Sequence, residues 1–102
     1  MTLLELIKAV KEKNLTKEQI EEYRDQMSSL FAEMQLELSE IEKSKAVRME
    51  EMRIATPTDS EARLKGNWQA SEKGLREITL KRYCLATKEI LNSLKSRLYS
   101  IY

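Results

Sequence analysis

Apolar residues recur at helical spacing along almost the whole chain. Leu3, Leu6, Ile7 and Val10 line one face of a short first segment. Thr2, with Glu5 three residues on, has the form of a capping box that starts it. The pattern predicts a helix over 3–13, ending near Asn14, a residue that tolerates the left-handed conformation. Thr16 and Gln19 form a second capping box, with Leu15 and Ile20 placed as a hydrophobic staple. Beyond it, Ile20, Tyr23, Met27, Leu30, Phe31, Met34, Leu38, Ile41, Met49 and Met52 share one stripe that only Lys45 interrupts. Asn14 to Pro57 contains no glycine or proline in between, so one helix is expected over 17–54, about 57 Å long.

The clearest punctuation is Thr56-Pro57-Thr58-Asp59-Ser60, and it predicts a turn over 55–58. Thr58 and Glu61 supply a third capping box, and the pattern then predicts a third helix over 59–99. Leu80, Tyr83, Cys84, Ile90, Leu91, Leu94, Leu98 and Ile101 cover an arc broader than a single partner helix needs. The expected fold is all-α. It is a long, coiled-coil-like antiparallel helical hairpin, with the short N-terminal helix completing a three-helix bundle at the open end. Residues 1–102 form one helical domain on this reading.

Composition supports helices and removes several kinds of chemistry. Two glycines and one proline in 102 residues are too few for the turns of a sandwich or barrel. The absence of histidine removes the commonest general base and transition-metal ligand. A single cysteine allows no internal disulfide, and Cys84 on the core arc reads as an inert thiol. No apolar run has the length of a signal-peptide core or a membrane span, so a protein of a reducing cytoplasm, away from membranes, is expected. Neither cofactor nor metal is expected. The carboxylates of the second helix, such as Glu21, Asp25, Glu33 and Glu37, lack an oxygen-ligand loop and read as a solvated face.

Three features bear on function. Ala62, Gly66, Ala70 and Gly74 recur four apart and are expected to face the second helix, where Met49 and Met52 fill the space. Leu64, Trp68, Leu75 and Ile78 then point away, and on the second helix Leu36, Val47 and Ile54 lie opposite the main stripe. These seven residues are the candidate protein interface, since exposed apolar patches mark association surfaces. The opposite reading makes Leu64, Trp68 and Leu75 the core and exposes the small ladder. Lys73, Arg76, Lys81, Lys88 and Lys95 form a candidate basic contact face that could meet a phosphate backbone or an acidic protein. The charge is split, with a net −3 over residues 1–54 and +4 over 55–102, which suits antiparallel pairing of the two halves.

With no catalytic constellation, a non-enzymatic interaction module is expected. It would self-associate, as a homodimer, and bind another protein. The alternative is a nucleic-acid-binding accessory protein using the basic face of the third helix. In size, hairpin pattern and lack of catalytic groups the chain resembles, in type, small accessory proteins of bacteriophage early operons, including inhibitors of host or defence nucleases. That resemblance transfers no residue.

Overall fold

A reciprocal capping box starts the longest helix. The Thr16 hydroxyl accepts from the Gln19 amide at 3.1 Å, and the Thr16 amide donates to Gln19 Oε1 at 2.9 Å. The computed structural model describes residues 1–12 and 14–101, the last by its backbone alone. It contains α1 (Leu3–Val10), α2 (Lys17–Ala55), α3 (Glu61–Ala70) and α4 (Glu72–Ile101). The fold is all-α, a helical hairpin with a three-helix bundle. At α1, Thr2 accepts from the Glu5 amide at 3.2 Å, while its hydroxyl donates to the Glu5 carboxylate at 3.0 Å. The expected end of this helix at 13 lies outside the described residues, and the helix itself closes at Val10.

Contacts divide the chain into two compact units, Met1–Met34 with Tyr83–Tyr102, and Gln35–Arg82. The first is the three-helix unit. Leu6 and Val10 of α1, Ile20 and Met27 of α2, and Leu94 and Leu98 of α4 form its buried core. Arg97 ties the end of α1 to α4. Its guanidinium donates at 2.9 Å to the carbonyl of Val10, one that the end of the helix leaves unpaired, and at 3.3 Å to that of Glu12 just beyond it. Cys84 is buried, and that burial pushes its thiol above the usual cysteine range.

The second unit is the hairpin stem. After α2, the Thr56 amide and hydroxyl both donate to the Met52 carbonyl. The Arg53 guanidinium then grips the Glu61 carboxylate at 2.8 and 3.1 Å, clamping the two sides of the turn. The cap of α3 is Ser60, which accepts from the Arg63 amide at 3.2 Å, so the helix starts at Glu61 rather than at the expected 59.

The third expected helix, over 59–99, is two helices. Ser71 adopts an extended conformation, with φ −73° and ψ 161°, between α3 and α4. Its amide and hydroxyl both donate to the Trp68 carbonyl, at 3.0 and 2.5 Å, and the same hydroxyl accepts from the Gly74 amide at 3.1 Å. Ser71 thus closes one helix and caps the next. Gly74 makes the junction possible. A Cβ there would lie 1.8 Å from the Trp68 carbonyl oxygen and 2.7 Å from its carbon, so only glycine lets the two backbones come this close.

Candidate functional site

The break at Ser71 decides which residues of the stem face inward. An uninterrupted helix would keep Leu64, Trp68, Leu75 and Ile78 on one face. In the broken one, Leu64 and Trp68 are 2% and 3% exposed, whereas Leu75 is 57% exposed and Ile78 half-buried. On α4 the inward positions are instead Gly74, Glu77 and Leu80. Leu64 and Trp68 are therefore core residues and leave the candidate interface. The small ladder does not face α2 either. Ala62, Gly66 and Ala70 are exposed, nothing lies within 4 Å of a Cβ built on Gly66, and only Gly74 is buried. Leu36, Val47 and Ile54 remain on the surface of α2, at 65%, 61% and 73% exposure.

Trp68 is held by a buried polar cluster. Its indole Nε1 donates to Glu77 Oε1 at 3.4 Å, and Lys45 Nζ donates to the same oxygen at 3.4 Å. Lys81 Nζ stands 3.9 Å away. Glu77 is 4% exposed, and its other oxygen has no hydrogen-bond partner among the described residues. The sequence holds one trace of this cluster. Lys45 interrupts the apolar stripe of α2, and a charge in that position calls for an opposite charge across the seam.

Beside Trp68 lies a cavity of about 550 Å³, walled by Ser44, Arg48 and Met52 of α2 and by residues on both sides of the break, Asn67, Ser71, Glu72 and Lys73. A shallower groove of about 420 Å³ shares Ser44, Arg48 and Lys73 and adds Lys43, Val47 and Glu51. Arg48 pairs with Glu51 at 3.3 Å along its edge. The cavity walls carry polar side chains and the apolar bodies of Met52 and Trp68. No group of three or more metal-ligating side chains stands together among the described residues.

The candidate basic face is reshaped by pairing. Lys73, Lys81, Lys88 and Lys95 are exposed on α4. Arg76 instead grips Glu37 of α2 through two hydrogen bonds of 3.0 Å. Hydrogen bonding from Arg76, reinforced by its charge, holds the Glu37 carboxyl below the usual glutamate range. Lys95 Nζ lies 5.8 Å from the centre of the Tyr99 ring, a cation–π arrangement one helical turn apart. No helix among the described residues is long and apolar enough to cross a membrane.

No protein-family model, curated protein or solved structure matches this chain.

Proposed function

We propose that the chain is a non-enzymatic helical interaction module, which self-associates and acts by binding another protein in a reducing cytoplasm. The observation that carries this reading is the set of large apolar side chains left uncovered in the stem. Leu36, Val47 and Ile54 on α2 and Leu75 on α4 are each more than half exposed. Their retention on helices otherwise rich in charge suits an association surface. The reading extends to an accessory protein that inhibits or adapts its target, a class this chain resembles in size and hairpin pattern.

Sedimentation equilibrium tests the reading. More than one chain per particle at tens of micromolar is expected, most simply two related by a two-fold axis. A monomer at that concentration counts against self-association. The exposed lysines favour a second reading, contact with a phosphate backbone along Lys81, Lys88 and Lys95, which recur every seven residues. The variant Lys81→Gln/Lys88→Gln/Lys95→Gln separates the two. Under the protein-binding reading it should associate normally. Steep salt dependence of partner binding, abolished in the triple variant, would favour nucleic acid.

A further inference from the structure

The exposed stripe of α2 is complementary to itself. Leu36, Glu40, Lys43 and Val47 stand at i, i+4, i+7 and i+11, within an arc of about 60° on the helix. All four are exposed, and Leu36 and Val47 are the apolar ends of the run. Read in either direction, the order is apolar, charged, oppositely charged, apolar. If two such helices are laid antiparallel about a two-fold axis between Ile41 and Glu42, Leu36 comes level with Val47 of the second copy. Glu40 then comes level with Lys43, and each contact occurs twice.

Two further observations suit this occupant. Among the described residues, neither Glu40 nor Lys43 makes an ion pair within its own chain, although Glu37 one turn away is fully engaged by Arg76. Val47 and Lys43 also line the shallow groove bounded on its far side by Lys73 of α4. In that groove Val47 is the one apolar side chain, set among the aliphatic stems of Lys43, Arg48 and Lys73. We infer that the partner which covers this face is a second copy of the chain, paired α2 to α2 in antiparallel register. Leu36 seats beside Val47 in the groove of the second copy, and Glu40 meets its Lys43. The inference rests on the self-association reading and specifies its surface and register.

Charge reversal tests the register. Lys43→Glu sets glutamates opposite one another twice in the pair, and Glu40→Lys does the same with lysines. Each single variant should weaken self-association by about tenfold or more, since like charges face each other in the contact. The double variant Lys43→Glu/Glu40→Lys restores both pairs and should associate as the unsubstituted chain does. An equimolar mixture of the two single variants should form mixed dimers, because each then offers the charge the other lacks. All four positions are exposed, so circular dichroism should show unchanged helix content in every variant. If the single variants associate as tightly as the unsubstituted chain, this register is overturned while self-association stands. If the unsubstituted chain is itself a monomer at tens of micromolar, the self-association reading falls, and this pairing with it.

Discussion

A methyl group added at Gly74 would lie 1.8 Å from the carbonyl oxygen of Trp68, a backbone atom that cannot swing aside. The same methyl added at Gly66 would meet nothing within 4 Å. The two glycines of the chain therefore respond oppositely to one substitution. Gly74→Ala forces the α3–α4 junction apart and should destabilise by about 1–3 kcal/mol, the range of overpacking. Gly66→Ala sits on an exposed face in the interior of α3, and should stabilise by up to about 1 kcal/mol through helix propensity. Urea unfolding of both variants checks the pair, and equal shifts in the same direction would contradict the close approach at Gly74. The small-residue ladder in which both were grouped by spacing thus divides. One glycine is needed for contact between backbones, and the other costs stability without evident return.

At the scale of the element, the junction between α3 and α4 depends on Ser71. Its side chain both donates to the last turn of one helix and caps the first turn of the next. Ser71→Ala removes both bonds and should cost about 1 kcal/mol, the usual worth of an N-cap. Ser71→Asp keeps the acceptor for the Gly74 amide but loses the donor to Trp68, and should recover part of that loss. Thermal unfolding followed by circular dichroism distinguishes the three. Because the break sets the rotation of α4, its loss would also disturb Trp68, whose fluorescence gives a second readout from the only tryptophan in the chain.

For the whole molecule, core and association surface are separable. Trp68→Glu introduces a second carboxylate beside the buried Glu77 and should unfold the stem, at a cost of about 3 kcal/mol or more. Leu36→Ser removes an exposed side chain and should leave stability almost unchanged while weakening self-association. Urea unfolding and sedimentation on the two variants should give opposite patterns. Acid provides another whole-molecule test. The Glu37 and Glu61 carboxyls are both held below the usual glutamate range by hydrogen bonds from arginine, from Arg76 and Arg53 respectively. A carboxyl depressed on folding contributes stability that is present above its unfolded value and is lost as pH falls through its folded value. Stability should therefore decline as pH drops below the ordinary glutamate range. The decline should be shallower in Glu37→Gln/Glu61→Gln, and small in both because the pairs are solvent-exposed.

The class of the fold and the start of α2 were legible in the sequence because both depend on neighbours a few residues apart. Thr16 and Gln19 cap α2 as their spacing requires, and the stripe from Ile20 to Met52 needs only the period of a helix. The break at Ser71 was not legible. Nothing in Gln69-Ala70-Ser71-Glu72 forbids a helix, and the junction is held by the Trp68 carbonyl, the bare Cα of Gly74 and the Lys45–Glu77–Trp68 cluster acting together. Without that break the period of α3 carries straight through, which places Leu75 with Leu64 and Trp68 and misassigns the inward face. Periodicity tells which residues share a face. Leu36 and Val47 lie exposed because they stand opposite the main stripe of α2, which spacing alone shows. Which face of α3 is buried depends on the helix lying against it, and so the burial of Leu64 and Trp68 while Leu75 stays exposed was decided only by tertiary packing.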